Sequence, residues 1–281
     1  MREELQNKLE LLKEILGEMD GALIAFSGGV DSTFLLKVAH EVLGPKAVAV
    51  TASSETYPSR EFEEAKQLAK MIGAEHLIVE TRELESEAFR KNPHDRCYHC
   101  KKELFSTLVA LASERGLECV LVGSNLDDVQ DYRPGMRAAR ELGVRSPLME
   151  AKLSKEEIRE LSREMGLPTW DKPSFACLAS RFPYGTRITE EDLSKVDAAE
   201  EQLRRMGFRQ LRVRHHGDIA RIEVEKGQLA SALVRADEIA NHLENLGYTY
   251  VTLDLRGYRT GSMNEKLDRR LVDGLNPDRR I

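Results

Sequence analysis

Short apolar runs alternate with amphipathic segments along the first half of the chain, and this alternation leaves few possible folds. The spacing of the apolar residues predicts strands at 22–26, 47–51, 76–79, 119–122 and 144–148, and helices at 4–18, 30–43, 59–72 and 101–115. The strands read as continuous apolar runs, which indicates a sheet buried on both faces. The sequence therefore predicts an α/β fold, a doubly wound parallel sheet with helices on both sides.

A second, smaller α/β unit is predicted in the C-terminal third of the chain. Thr189, followed by acidic residues, is typical of a helix N-terminus and predicts a helix to about residue 206. Two strands, a helix and a last strand are then predicted at 210–214, 220–224, 229–246 and 250–255. We therefore expect a first domain at residues 1–185 and a substrate-binding or oligomerisation domain at 186–281.

Composition narrows the class of protein. Of the 281 residues, 41% are hydrophobic, and no apolar run approaches the length of about 18 residues that suggests a membrane span. The acidic N-terminus lacks the apolar core of a signal peptide, so we expect a cytoplasmic protein with reduced cysteines. A formal charge of −6 argues against a protein that coats nucleic acid.

A glycine-containing run, Ser27-Gly28-Gly29-Val30-Asp31-Ser32, lies between the first predicted strand and the following helix. Amides at a helix N-terminus bind phosphate, both glycines can adopt positive φ, and Ser27 and Ser32 add hydroxyl donors. The run is neither a Walker loop nor the dinucleotide fingerprint. A tight turn without a ligand is the alternative, but the strand–loop–helix context favours a pyrophosphate-binding loop.

This run resembles the loop of the ATP pyrophosphatase superfamily, which includes GMP and NAD synthetases, argininosuccinate synthetase and tRNA thiolases. The resemblance implies that ATP is cleaved to AMP and pyrophosphate while a substrate oxygen becomes adenylated. It also implies that Asp31 helps to hold Mg²⁺, that Thr51-Ala52-Ser53 borders the adenosine, and that Gly123-Ser124-Asn125 lies near the α-phosphate. The superfamily leaves the second half-reaction open.

The cysteines bear on that second half-reaction. Cys119 lies in an apolar strand and is expected in the core, whereas Cys97, Cys100 and Cys177 lie outside the predicted strands. A zinc site would need a fourth ligand such as His94 or His99, and a redox dithiol at Cys97 and Cys100 would leave Cys177 unused. A three-thiolate [4Fe-4S] cluster would use all three cysteines and leave one iron open for an extra sulfide.

Sulfur is a suitable nucleophile toward an acyl adenylate, because a soft, strong nucleophile attacks the activated carbonyl while AMP leaves. The product would be a thiocarboxylate. The sulfur could be a sulfide on the cluster, or it could be Cys177 itself, which would form a thioester whose carbon–sulfur bond then breaks. The sequence permits both routes.

The surroundings of Cys177 carry a more specific resemblance. Residues 170–185, Trp-Asp-Lys-Pro-Ser-Phe-Ala-Cys-Leu-Ala-Ser-Arg-Phe-Pro-Tyr-Gly, and the upstream Asp131-Tyr132-Arg133-Pro134-Gly135 closely resemble the LarE-type sulfur transferases. The resemblance implies sulfur insertion into pyridinium biscarboxylic acid mononucleotide during synthesis of the nickel-pincer nucleotide. It further implies that Cys177 donates sulfur, that Cys97, Cys100 and Cys177 hold the cluster, and that the protein forms a homo-oligomer.

An anionic mononucleotide should be bound by guanidinium groups. Arg181 follows Cys177 closely, and Arg212 and Arg214 fall on one face of a predicted strand. Composition alone favours a solvated strand face for the latter two, but the resemblance implies that basic residues here bind the substrate phosphate. Glu200 and Glu223 are candidate carboxylates for a second metal ion.

Two other functions compete with this hypothesis. A tRNA thiolase can combine the same loop with three cysteines, although the acidic charge and the absence of an evident RNA-binding extension argue against it. A nucleotide-sensing protein would bind ATP without cleaving it, but this function would leave the three cysteines unused. The sequence therefore favours an enzyme that acts on a small nucleotide substrate.

Overall fold

The computed structural model describes residues 2–130, 134–173, 175–259 and 261–265. Its larger sheet has four parallel strands in the order β3-β2-β1-β4. The strands are β1 Ala22–Ala25, β2 Ala47–Ser53, β3 His76–Glu80 and β4 Cys119–Val122. In a parallel sheet the carboxyl ends of the strands meet at one edge, so the loops after β1, β2 and β4 can form a single site.

Helices cover both faces of this sheet. They are α1 Arg2–Gly17, α2 Val30–Leu43, α3 Ser59–Ile72, α4 Glu87–Arg90, α5 Arg96–Glu114, α6 Pro134–Glu141, α7 Pro147–Glu150 and α8 Lys155–Glu164. In β1, Ile24 joins the core with α1, α2 and α8, whereas the neighbouring Leu23 packs with Phe105 and Leu108 of α5. Successive strand residues point to opposite faces, so the doubly wound parallel sheet predicted from the sequence is confirmed.

A second sheet of three strands follows. Its strands are β5 Leu211–His216, β6 Ile219–Val224 and β7 Tyr250–Leu253, and its helices are α9 Glu190–Arg205, α10 Leu229–Val234 and α11 Ala236–Asn245. Strands β5 and β6 pair antiparallel, and β7 pairs parallel to β6. A separate apolar core, which includes Leu203, Val213, Ile222 and Leu243, lies between this sheet and its helices.

An apolar cluster joins the two units. Phe89, Leu178 and Phe182 from the first part of the chain pack with Leu193 and Val196 of α9. The segment with Cys177 therefore lies where both units contact it. The domain boundary expected at residues 185 and 186 stays a prediction.

Several predicted elements differ from the structure. The strand predicted at 144–148 is wrong, because Arg145 makes a single bridge to Leu121 and Pro147 then begins α7. Proline has no amide hydrogen for a sheet but suits the first turn of a helix. The helix predicted at 229–246 is interrupted at Arg235, whose φ of −104° and ψ of 22° lie outside helical values.

The helix predicted at 101–115 begins five residues earlier, at Arg96. The amide of Tyr98 already donates to the carbonyl of Asp95, at 2.8 Å. Cys97 and Cys100 therefore lie in the first turns of α5 rather than in the preceding loop. Within the described residues, no helix combines the length and the apolar character needed to cross a membrane.

Candidate active site

The pyrophosphate loop lies between β1 and α2. Gly28 has a φ of 62°, and a Cβ on it would lie 3.2 Å from both Cα and Cβ of Ala65 in α3. A side chain here would meet both backbone strain and a close neighbour. Gly29 is different, because its φ is −79° and it forms the N-cap of α2. Of the two glycines that can adopt positive φ, only Gly28 does so.

The two serines face each other across the loop. Their Oγ atoms are 3.1 Å apart, and the amide of Ser27 donates to Oγ of Ser32 at 3.3 Å. No side chain caps the N-terminus of α2, so its first-turn amides are left for a ligand. The positive end of the helix dipole adds to this preference for an anion.

Gly123, at the end of β4, packs directly against the loop. A Cβ on Gly123 would lie 2.9 Å from the backbone nitrogen of Ser32, closer than real Cβ contacts. Nearby, Nδ2 of Asn125 donates to Oδ1 of Asp31 at 3.2 Å. The loop at 27–32 and the segment at 123–125 are distant in the sequence, and both were predicted to lie near the phosphates. The structure places them next to each other.

Asp31 also forms an ion pair that the sequence did not indicate. Its Oδ2 lies 2.5 Å from Nζ of Lys155, the first residue of α8. Both carboxylate oxygens of Asp31 thus have partners within the protein. A Mg²⁺ role for Asp31 stays a prediction, and Lys155 adds a positive charge beside the loop.

Thr51 is buried beneath the loop rather than beside an open adenosine pocket. Its hydroxyl donates to the carbonyl of Phe26 at 2.8 Å and lies 2.8 Å from Nε2 of His76. Burial, with a smaller contribution from the Lys66 charge, lowers the pKa of His76. Thr51 therefore supports the strand that leads into the loop, and the adenosine contacts of Ala52 and Ser53 stay predictions.

Two further side chains connect the loop to the segment that precedes Cys177. Nζ of Lys172 donates to the carbonyl of Gly28 at 3.1 Å and pairs with Glu61 and Glu64 of α3. The hydroxyl of Tyr57 donates to the carbonyl of Ser27 at 2.7 Å. The Tyr57 ring packs edge-on against Phe175, with centroids 5.2 Å apart.

The three cysteines expected to act together do lie near one another. Cys97 and Cys100 are three residues apart on α5, on one face of the helix, and Cys177 precedes a 3₁₀ turn at Leu178–Arg181. Cys100 and Cys177 pack against the same apolar cluster. Cys119 lies elsewhere, with its sulfur 3.4 Å from the Met19 sulfur, and packs against the main core as predicted.

The surroundings of the cysteines affect their ionisation. The Cys97 residue is exposed, yet desolvation by the surrounding protein raises the pKa of its thiol. Burial also raises the pKa of Cys100, and the carboxylate of Glu83, 3.7 Å from the sulfur, adds to the effect. Both thiols therefore favour the protonated form until a metal or another electrophile replaces the proton.

Arg96, the residue before Cys97, is buried beside this group. Its Nη1 donates to the carbonyl of Ala179 at 2.9 Å and to Oδ1 of Asn92. Burial alone would lower the pKa of this guanidinium, but the negative charge that Cys177 and Cys97 carry as thiolates raises it above its ordinary value. No local sequence pattern indicates a role for Arg96.

No single-metal site is formed by the described residues, in which no three His, Cys, Asp or Glu side chains are grouped to hold an ion. His99 pairs with Asp95 at 3.3 Å, and His94 packs against the Tyr184 ring. The zinc alternative therefore finds no assembled ligand set. A [4Fe-4S] cluster on Cys97, Cys100 and Cys177 stays a prediction; each of its irons needs only one thiolate, so its ligands need not share one tetrahedral centre.

Arg181 connects the Cys177 segment to α9. Its Nε and Nη2 donate to the two carboxylate oxygens of Glu200, at 2.8 and 2.9 Å. Its Nη1 donates to the carbonyls of Ala176 and Cys177, at 2.6 and 3.0 Å. The fully buried Arg181 therefore fixes the backbone on either side of the Cys177 Cα, and its predicted contact with a substrate phosphate stays a prediction.

Arg214 is paired in a similar way. It donates to Oε2 of Glu223 at 2.8 and 3.0 Å and to the carbonyl of Ser180 at 3.2 Å. Each of these carboxylates therefore binds an arginine, and the metal site suggested for Glu200 and Glu223 stays a prediction. The solvated strand face is wrong, because Arg214 is only 5% exposed.

Arg212 contributes further positive charge. The residue is buried, and its guanidinium lies 5.1 Å from the Tyr258 ring. Burial and the Arg181 charge lower the pKa of Arg212 to about 10, which Glu200 offsets only in part. The side chain remains a cation at neutral pH in a region that would be stabilised by an added anion.

A cavity of about 720 Å³ lies between α3, the segment before Cys177 and the start of β5. Lys172 and Phe175 line one side, and Arg181, Arg204 and Arg212 line the other. This size is typical of small-molecule sites. Cys177 itself does not line the cavity, but it lies two residues beyond Phe175. Of the residues that carried the sequence resemblance, Asp131, Tyr132, Arg133 and Ser174 lie outside the described part of the chain.

Comparisons with known proteins agree with this geometry. The asparagine synthase family model matches residues 22–223. An uncharacterised protein of Synechocystis is 49% identical over 94% of this chain and 99% of its own length. Pyridinium-3,5-bisthiocarboxylic acid mononucleotide synthase of Lactiplantibacillus plantarum is 42% identical over 94% of this chain and 96% of that protein. Argininosuccinate synthase of Natronomonas pharaonis is 27% identical over 54% of the chain and 41% of its own length.

The parallel sheet and its glycine loop define an ATP-using enzyme of the PP-loop ATP pyrophosphatase superfamily. This class includes enzymes with different second substrates. Within it, the chain belongs to the family of the Lactiplantibacillus synthase, the LarE-type sulfur transferases.

Proposed function

We propose that this protein adenylates a carboxylate of pyridinium biscarboxylic acid mononucleotide and converts it to a thiocarboxylate, in synthesis of a nickel-pincer cofactor. One observation carries the proposal. The segment with Cys177 contacts the nucleotide loop directly through Lys172 at the carbonyl of Gly28, and indirectly through Phe175, which packs on the ring of Tyr57, whose hydroxyl binds the Ser27 carbonyl. The amide of Leu178 also donates to the carbonyl of Thr56 at 2.8 Å. Activation and sulfur delivery are therefore expected in adjacent parts of one site.

The first step is attack by a substrate carboxylate oxygen on the α-phosphorus of ATP. The bond to the β-phosphate breaks, and pyrophosphate leaves toward the amides of α2. Lys155 and Asp31 face the same loop, so Lys155 can stabilise the leaving pyrophosphate while Asp31 takes part in binding Mg²⁺. Arg212 and the cavity beside it supply the positive charge for the phosphate of the acceptor.

The second step is attack by sulfur on the acyl adenylate, with AMP as the leaving group. If Cys177 attacks, a thioester forms between the substrate and the protein. Removal of the Cα proton of Cys177 then breaks its Cβ–Sγ bond, which releases the thiocarboxylate and leaves dehydroalanine. This route consumes one side chain per product and needs no oxidant or reductant.

A [4Fe-4S] cluster bound by Cys97, Cys100 and Cys177 would supply sulfide at the iron without a protein ligand. In that case Cys177 keeps its side chain through the reaction. The α5 face carrying Cys97 and Cys100 and the adjacent turn at Cys177 would bind the cluster, and Arg181 would fix the turn. A cytoplasmic location and a homo-oligomer are part of the proposal.

Cys177→Ala tests the sulfur transfer. With ATP, Mg²⁺ and the acceptor under anaerobic conditions, the variant should still release pyrophosphate but form at least about 100-fold less thiocarboxylate. Cys119→Ala is the matched control and should behave like the wild type. Normal thiocarboxylate formation by Cys177→Ala would contradict the proposal, and modification of tRNA instead would support a tRNA thiolase.

Intact-protein mass spectrometry after one turnover separates the two sulfur sources. Loss of about 34 Da at residue 177, the mass of hydrogen sulfide, marks the route through the cysteine itself. An unchanged Cys177 with product formed marks a sulfide carried by the cluster.

A further inference from the structure

Arg96 is a buried cation that no carboxylate neutralises. The residue is 4% exposed, and it forms no ion pair with any acidic residue in the part of the chain that the structure describes. By comparison, the buried Arg181 and Arg214 each bind a glutamate. An unneutralised charge is costly to bury, so its retention in the interior indicates that an anion shares the site in the working protein.

The protein fixes the Arg96 guanidinium in one place. Nη1 donates to the carbonyl of Ala179, two residues after Cys177, and to the side chain of Asn92. Asn92 is fully buried, and its Nδ2 donates to the carbonyl of Pro183 at 2.8 Å. The guanidinium therefore joins the start of α5 to the segment that follows Cys177.

The charge fixed in this way lies next to sulfur. Arg96 directly precedes Cys97 in the chain, and the carbonyl that its Nη1 binds belongs to Ala179, two residues after Cys177. Cys100 has a different neighbour, the carboxylate of Glu83, 3.7 Å from its sulfur. The positive charge is thus directed at the pair of cysteines that come from different segments.

We propose that Arg96 is the positioning residue and counter-charge for anionic sulfur at the three-cysteine site. The anion is a hydrosulfide or the thiolates of a bound cluster, and the proposal rests on the sulfur-transfer function proposed above. Arg96 attracts anionic sulfur through its charge, and its hydrogen bond to Ala179 ties the first turn of α5, which carries Cys97, to the segment after Cys177. Thiol groups alone would attract no anion.

The effect of the Arg96 charge on the cysteines can be measured in metal-free, reduced protein with two cysteine reagents of opposite charge. These are sulfonatoethyl methanethiosulfonate, an anion, and trimethylammonioethyl methanethiosulfonate, a cation. The ratio of their rates at one cysteine reports the local electrostatic potential and cancels the ionisation of the thiol itself. Peptide mass spectrometry gives this ratio for each cysteine, so Cys119, which lies elsewhere, is an internal control.

Two substitutions separate charge from structure. Arg96→Gln keeps an amide donor but removes the charge, and Arg96→Lys keeps the charge but loses the planar guanidinium. The anion-to-cation rate ratio at Cys97 and Cys177 should fall about tenfold in Arg96→Gln and should stay near the wild-type value in Arg96→Lys. Arg115→Met, at the other end of α5, should leave all ratios unchanged. Equal ratios in Arg96→Gln and wild type, or equal losses in both Arg96 variants, would overturn the proposal.

A second readout uses protein reconstituted with iron and sulfide. Arg96→Gln should lower the reduction potential of the cluster by about 60 mV, the equivalent of a tenfold change in a one-electron equilibrium, and Arg96→Lys should restore it. A cluster with an unchanged potential in Arg96→Gln would refute the role of Arg96 and leave the proposed function standing. If the wild type binds no cluster, the cluster-borne sulfide route fails, and the reagent ratios still decide the role of Arg96.

Discussion

Gly123 leaves no room for a side chain against the nucleotide loop. Gly123→Ala would place a Cβ 2.9 Å from the backbone nitrogen of Ser32, so the first turn of α2 must shift. Because these amides are expected to bind pyrophosphate, the KM for ATP should rise at least about tenfold in pyrophosphate-release assays. Gly227→Ala, with no atom within 4 Å of its new Cβ, is the matched control. Unchanged ATP kinetics in Gly123→Ala would show that the loop is not the ATP site.

The role of a residue was predictable where the local sequence pattern itself indicates that role. The loop from Ser27 to Ser32 combines glycines and hydroxyls between a strand and a helix, and the structure positions it as such a loop. Lys155, Lys172 and Arg96 were not predicted, because nothing in their immediate sequence separates them from solvent-exposed cations. Their roles come from contacts with residues more than 80 positions away.

At the scale of elements, Tyr57 connects the loop after β2 to both the nucleotide loop and the Cys177 segment. Tyr57→Phe removes the hydrogen bond to the Ser27 carbonyl but keeps the ring against Phe175. Loss of one buried hydrogen bond costs about 1 kcal/mol, so the KM for ATP should rise about fivefold with little change in kcat. Tyr250→Phe, at an exposed site, serves as control. An equal fall in kcat and kcat/KM would instead place Tyr57 in the chemical step.

The Arg181–Glu200 ion pair, which connects the Cys177 segment to α9, makes a contribution to stability that depends on pH. Burial alone would raise the pKa of Glu200, but Arg181 overcomes burial and lowers that pKa from 4.5 to about 2. A carboxylate whose pKa is lower in the folded than in the unfolded protein stabilises the fold at pH values above the unfolded pKa. This stabilisation is lost as pH falls from 4.5 toward 2. The contribution is about 3 kcal/mol at neutral pH.

Glu200→Gln should therefore lower the free energy of unfolding at pH 7, and its difference from wild type should shrink as pH approaches 2. Urea unfolding at several pH values measures this difference. Glu238→Gln, at an exposed ion pair, should show almost none of it. A difference that stays constant from pH 7 to pH 2 would mean that the Glu200 charge is not the cause.

Element boundaries followed from local signals wherever such signals were strong. The bounds of α2 and α3 agree with the prediction. Apolar periodicity marks the extent of both helices, and a glycine follows the last residue of each. The start of α5 was missed because Arg96, Cys97 and Cys100 carry no helical apolar pattern. Contacts with segments distant in the sequence, such as Ala179 and the apolar cluster, help to stabilise the first turns of this helix.

At the scale of the whole molecule, the class of fold was predictable from the sequence, whereas the tertiary contacts between distant segments were not. Buried parallel strands separated by helices permit few arrangements, so the doubly wound sheet followed from pattern alone. The proximity of Cys177 to Cys97 and Cys100 depends on a cluster shared by α4, the 3₁₀ turn and α9. Such contacts between distant segments leave no periodic trace in the sequence.

The central claim is that ATP activates a carboxylate of the acceptor, which sulfur then attacks. The most direct measurement uses pyridinium biscarboxylic acid mononucleotide labelled with ¹⁸O in its carboxylates, and follows AMP and thiocarboxylate by mass spectrometry in one anaerobic turnover. We expect one ¹⁸O atom in AMP for each thiocarboxylate formed, because the carboxylate oxygen leaves with the adenylate. Unlabelled AMP formed together with thiocarboxylate would contradict the account.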